Sequence, residues 1–295
     1  MTGEVRIKSP TKQLLVLFLV FFPQLLLLVL SIFVDVPEGA GLDANNRSAI
    51  TQAKLQQASM TLGFFMLPAF LYAIFCFRSN YGSYLGLKKA QHANMYLLAV
   101  LCIIFAFHVV FWLGWLNEKI NLPEWMTRME SMSSEQMETI LKVNGPGDLI
   151  LNLVVVALLP AFCEELFFRG AMQRVLIHVT RNPWTGIIIT AILFSALHLQ
   201  FQGFLPRLFM GMVMGILYWY SGSLWTCITA HFVYNAIQVV AVAYAPTLTE
   251  NNEQVPILAG VASGIAVWAI LWFYRKQSVT TWARVYREEE PTSIS

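Results

Sequence analysis

Eight stretches of this chain are too long and too apolar to be ordinary strands or half-buried helices. The first, Leu14 to Val34, is interrupted only by Pro23, Gln24 and Ser31, and it approaches the ~20 residues that cross a hydrocarbon core. Comparable runs cover about Ala58 to Phe77, Met95 to Leu116, a fourth beginning at Asp148, then Trp184 to Leu199, Phe204 to Tyr220, Leu224 to Tyr244 and Val255 to Phe273. Lipid offers the backbone no hydrogen-bond partner, so only helices or closed barrels span it. A barrel needs short alternating segments, whereas these runs are unbroken. The expected fold is all-α, a polytopic transmembrane helical bundle of about eight spans. Only 12% of the residues are charged, about half the usual ~25% of globular domains.

Lys8 and Lys12 precede the first run as in a signal peptide, but a signal core is ~7–15 residues; the run is read as a retained first helix. Asn45-Asn46-Arg47-Ser48 offers a helix start before the second. The longest polar segment, Asn117 to Asp148, carries Leu122, Trp125, Met126, Met129 and Met132 at helical spacing. That pattern predicts an amphipathic interfacial helix before the fourth span. Asn144-Gly145-Pro146-Gly147 ends it, and Asp148 is placed to cap the next helix. The chain thus divides into an N-terminal part (1–147), a central core (148–245), and a last span with a polar, frayed tail (246–295).

An even number of spans puts both termini on one side, and Arg6, Lys8, Lys12, Arg78, Lys88, Lys89, Arg174, Arg181, Arg275, Lys276 and Arg284 fall in segments on that side. The positive-inside rule makes it cytoplasmic. Lipid is therefore one partner. A net charge of +2 with no basic stripe predicts no nucleic-acid partner. Cys76, Cys102, Cys163 and Cys227 are scattered singly without CxxC spacing, which predicts buried thiols and neither a zinc knuckle nor a disulfide framework.

The exception to this apolar economy is Pro160-Ala161-Phe162-Cys163-Glu164-Glu165-Leu166-Phe167-Phe168-Arg169-Gly170. A charge near a bilayer centre costs ~2.5–3.5 kcal/mol on insertion scales. Glu165 and Arg169 are four apart and share a helix face. Glu164 is rotated from Glu165 by about 100° and is free for another role. Pro160 should bend this helix and strip the Val156 carbonyl of its partner.

Three further polar residues lie in spans: His198 closing Phe194-Ser195-Ala196-Leu197-His198, and His231 with Asn235 one turn apart. A carboxylate and an imidazole sharing a water can take its proton and return it to a leaving amine. A second imidazole and an amide can hold an oxyanion. Each residue also has a plain packing role: Glu165–Arg169 as an ion pair, His198 as a core histidine, His231 and Asn235 as helix-to-helix bonds.

Glu164-Glu165-x3-Arg169, Phe194-x3-His198 and His231-x3-Asn235, in this order on separate helices, resemble the hallmarks of the CAAX prenyl endopeptidase and bacteriocin-processing (CPBP) family of intramembrane proteases. The resemblance covers about Asp148 to Tyr244. It implies that Glu164 and His198 activate water, that His231 and Asn235 stabilise the oxyanion, and that Glu165 with Arg169 positions the site. It further implies a membrane-associated or lipidated peptide or protein as substrate, and a bacterial plasma membrane as location. The family has been described as metalloproteases, and Glu164, His198 and His231 are the residues that would hold zinc. No HExxH pair is present, so no cofactor is the favoured reading, with zinc the alternative. Two other functions compete: a non-catalytic bacteriocin-immunity or scaffold protein, and a transporter using Glu and His as an ion path.

Overall fold

The computed structural model describes residues 5–32, 46–143, 145–245 and 256–278; the tail with Arg284, Trp282 and Tyr286 lies outside the described residues. These residues form a helical membrane bundle, with no strand among them. The helices are α1 (Pro10–Ile32), α2 (Arg47–Cys76), α3 (Asn94–Glu118), α4 (Glu124–Leu141), α5 (Pro146–Thr180), α6 (Pro183–Ala196), α7 (Phe204–Ser221), α8 (Leu224–Tyr244) and α9 (Ile257–Gln277). Six of them, α1, α2, α3, α5, α8 and α9, are long and apolar enough to cross a membrane. The runs assigned to α6 and α7 fall short of that standard. Helix α6 has 14 residues, about 21 Å at 1.5 Å per residue, less than the ~30 Å hydrocarbon core.

Several boundaries differ from the sequence expectation. Helix α2 starts at Arg47, well ahead of Ala58, because the Asn46 side chain caps it by accepting the Ala49 N–H at 3.0 Å. Helix α5 starts at Pro146 with Gly145 as its cap residue, so Asp148 sits in the first turn and pairs with Arg47 at 3.7 Å. Helix α5 also runs through Pro160 without a break. A widened turn over Leu153–Leu158 precedes it, where the Leu159 N–H bonds back five residues to Val154 O. The extra residue in that turn accommodates the missing proline donor, as π-type bulges do. A second widened segment, Leu166–Gln173, follows the paired glutamates.

The two ends of the bundle are stitched separately. At one end the Arg6 N–H donates to Cys76 O at 2.8 Å, the Leu224 N–H to Gly86 O at 2.8 Å, Arg174 to Tyr84 O, and Ser278 Oγ to Tyr220 O. At the other, Asn117 Nδ2 donates to Phe201 O and Asn117 Oδ1 accepts the Leu205 N–H, both at 2.8 Å. Asn152 Nδ2 donates to Leu141 O at 3.0 Å. Helix α4 belongs to this second end, linked to the α6–α7 loop by Gln200 Nε2 to Ser133 Oγ at 3.0 Å and Gln202 N–H to the Glu130 carboxylate at 3.0 Å.

Helix α4 is amphipathic, but its faces differ from the expected stripe. Trp125 and Met132 are exposed, while Met126, Met129, Met137 and Ile140 turn inward, Met137 packing on Leu141, Ala157 and Val239. The core proper surrounds the second half of α5. Phe167 and Phe168 are fully buried there, and their rings meet those of Phe21, Phe65 and Phe194. Helices α6 and α7 approach so closely that a Cβ on Gly211 would lie 3.1 Å from Ala191, and one on Gly215 2.9 Å from Ile187. That is the close contact small residues permit between membrane helices. All four cysteines are free and buried.

Candidate active site

Three helices meet at Glu164. It stands on α5 between the two widened segments, with Glu165 and Arg169 following on the same helix. His198 lies just past the end of α6, which stops early, and His231 lies in the first half of α8. The short α6 is what brings a loop histidine into the interior of the bundle.

Glu165 and Arg169 are fully buried, and Arg169 Nη1 donates to Glu165 Oε1 at 2.9 Å. The other end of the guanidinium is held as well: Nη2 donates to Gly211 O at 3.0 Å. One turn along, Gln173 Nε2 donates to Gly215 O at 3.0 Å. Two side chains of α5 thus grip two carbonyls of α7 in register. The same Glu165 Oε1 lies 2.8 Å from His231 Nδ1. A carboxylate accepts, so Nδ1 carries the proton and the ring is held with Nε2 pointing away from Glu165.

His198 is oriented by a different partner. Its Nδ1 donates to Phe194 O at 2.7 Å, which leaves the Nε2 lone pair directed outward. The Phe194 ring packs edge-on to His198, with centroids 4.9 Å apart, and lies under the Arg169 guanidinium at 4.8 Å. The phenylalanine of the Phe-x3-His motif therefore serves through its carbonyl and its ring together.

Both Nε2 atoms face Glu164 Oε2, each at 3.9 Å. That oxygen is buried and has no hydrogen-bond partner among the described residues. A gap of 3.9 Å exceeds a hydrogen bond but suits one water bridging the polar atoms. Of the residues named from sequence, Glu164, His198 and His231 converge, and Glu165 and Arg169 support them. Asn235 sits one turn beyond His231, half-buried, and its side chain makes no hydrogen bond among the described residues.

Zinc holds N and O ligands at about 2.0–2.2 Å, so neighbouring ligand atoms of a tetrahedral site lie about 3.3–3.6 Å apart. The 3.9 Å separations are wider, and no group of three His, Cys, Asp or Glu among the described residues closes to a metal-binding arrangement. As placed, the residues do not fit a zinc ion.

Residues 146–237 match the family model described as "Type II CAAX prenyl endopeptidase Rce1-like". This segment is thus similar to Rce1-like domains. It contains all three motifs and both supporting residues of the ion pair. The chain is also 27% identical to the uncharacterized protein YpbD of Bacillus subtilis over 109 residues, 36% of this chain and 53% of that protein. It thus spans about half the length of the relative it matches. No solved structure matches the chain.

One charged residue of the Rce1-like segment escaped the sequence reading. Arg207, on the first turn of α7, is half-buried and within electrostatic range of Glu164, Tyr234 and Glu130. Its Nη1 donates to Gln200 Oε1 at 2.8 Å and its Nη2 to Gln200 O. A lone arginine inside the run Phe204 to Tyr220 was the available signal.

Proposed function

We propose that this multi-pass membrane protein is an intramembrane endopeptidase that hydrolyses a peptide bond of a membrane-associated or lipidated substrate with water activated by Glu164 and His198. One observation carries the reading: a buried, unpartnered carboxylate oxygen, Glu164 Oε2, stands 3.9 Å from two imidazole nitrogens. The Rce1-like match supports a peptide hydrolase.

In this mechanism Glu164 and His198, whose tautomer is fixed by the Phe194 carbonyl, take one proton between them from the shared water as it attacks the carbonyl carbon of the scissile bond. The developing oxyanion is met by donors on α8. His231 is suited to that role because the Glu165 carboxylate on Nδ1 offsets the charge of a ring that also carries a proton on Nε2. Asn235 supplies the second donor. The proton then passes to the leaving amine, and the bond between carbonyl carbon and nitrogen breaks. Arg169 is a positioning residue that holds Glu165 and, through it, His231. No metal enters this scheme. Both termini face the cytoplasm of a bacterial plasma membrane.

General acid–base groups contribute typically 10²–10⁴-fold, so Glu164→Gln and His198→Ala in the purified full chain should each lower cleavage by about that factor or more. The substrate is found by comparing protein termini in native membranes carrying the wild type and Glu164→Gln. A terminus present only with the wild type identifies it. Undiminished cleavage by either purified variant would sink the proposal, and partner binding that persists without any cleavage would favour a scaffold instead.

A further inference from the structure

The two stitched ends of the bundle differ in charge. The end that gathers the N-terminal segment, the α2–α3 loop and the C-terminus of α9 carries Arg6, Lys8, Arg78, Lys88, Lys89 and Lys276, with Arg174, Arg181 and Arg275 beside them. Among the described residues it has no Asp or Glu. The other end has, among the described residues, Arg47, Lys54, Lys119, Arg128 and Lys142, with Arg207 beside them, among Glu118, Glu124, Glu130, Glu135, Glu138 and Asp148. Orientation follows the lysine and arginine bias in short segments near the helix ends, and here the bias favours the first end.

Glu164 lies near the middle of α5, with 18 residues before it and 16 after, but the site is not equally open to the two ends. Towards the basic end it is sealed: Glu165, Phe167, Phe168, Arg169 and Gln173 are at most 1% exposed. Towards the acidic end the packing opens. The His198 side chain is 26% exposed, and it sits in the α6–α7 loop that Asn117 and α4 hold at that end.

We infer that the hydrolytic site proposed above works from the side of the membrane opposite the cytoplasm. Its substrate is a peptide segment already carried across, or threaded through, the bilayer, and reaching the site from that side. The reaction that must supply it is therefore a translocation or membrane-insertion step, not a modification completed at the cytoplasmic surface. This rests on the hydrolytic reading for the substrate, but on charge and burial alone for the orientation.

The test uses the full chain with single reporters at two exposed positions: Ser134→Cys on α4 and Lys89→Cys in the α2–α3 loop. Intact cells are treated with a membrane-impermeant maleimide, with the wild type, whose cysteines are buried, as background. Ser134→Cys should label in intact cells, and Lys89→Cys only after permeabilisation. Termini that depend on Glu164 should map to substrate segments on the outer side. Reversed labelling, or Glu164-dependent termini on cytoplasmic segments, overturns the inference and leaves hydrolysis standing. Labelling as expected with no Glu164-dependent terminus on any substrate overturns the hydrolytic reading and the substrate assigned here, while the orientation stands.

Discussion

Glu164 and Glu165 are neighbours in sequence and similarly buried, yet replacing each by glutamine should move stability in opposite directions. Glu165 Oε1 accepts from Arg169 at 2.9 Å and faces His231 Nδ1 at 2.8 Å, with both Glu165 and Arg169 fully buried. Glu165→Gln keeps the shape but leaves Arg169 as an uncompensated buried charge. Breaking a buried pair in that way costs about 3–5 kcal/mol. Glu164 Oε2 has no partner among the described residues. Glu164→Gln removes a buried charge and places an amide donor near the Nε2 lone pair of His198. Relief of one unsatisfied buried group is worth about 1–3 kcal/mol or more. Two isosteric changes one residue apart should thus differ by about 4–8 kcal/mol. Unfolding of the purified variants in mixed micelles, followed by helix signal against denaturant, measures the difference. Glu164→Gln should be inactive and at least as stable as wild type, and Glu165→Gln should be clearly less stable. If Glu164→Gln were the more damaging of the two, Glu164 would be a structural partner and the reasoning would fail.

Gly211→Ala should cost about 1–3 kcal/mol by overpacking, because its Cβ would lie 3.1 Å from Ala191 and 3.3 Å from Phe194 Cδ1. The displaced Phe194 should also loosen His198, so kcat should fall with a smaller change in KM, and steady-state kinetics separate the two. Stripping metals from the purified chain with chelator should leave cleavage unchanged; loss that only added zinc reverses would replace the proposed water activation with metal chemistry.

What the sequence made legible followed from how little each feature depended on distant packing. The α8 run, Leu224 to Tyr244, coincides with the helix observed, and the α3 run differs by a residue or two, because apolar length alone defines them. Helix α2 begins eleven residues early since its first half, Arg47 to Thr61, is polar and packs beside α4 and α5; nothing apolar announces it. Which residues of the α4 stripe turn inward was not legible for a related reason. Lipid headgroups and the bundle both accept apolar side chains, so Trp125 and Met132 could not be told from Met126 and Met137 by hydropathy. Three motifs brought Glu164, His198 and His231 to one place, but the groups that orient them were not readable. His198 is fixed by a backbone carbonyl, which has no letter in the sequence. Arg207 finds Gln200 across a loop whose path depends on where α6 ends.

That end of α6 also bears on how a bare carboxylate survives at this depth. The site gathers two carboxylates, Glu164 and Glu165, and two guanidinium groups, Arg169 and Arg207. The two cations are used differently. Arg169 is spent on Glu165 by direct contact, and the pair is clamped further by Gly211 O and by His231. Arg207 gives its Nη donors to Gln200 and acts on Glu164 only through space. A direct bond from Arg207 would satisfy Glu164 Oε2 and occupy the position a water must take; a more distant cation would leave the acid without compensation. Because Gln200 belongs to the loop that carries His198, the same stretch that delivers the imidazole holds this cation back. Placing a cation near Glu164 and keeping its oxygen available are opposed demands, and the α6–α7 loop is the element that reconciles them.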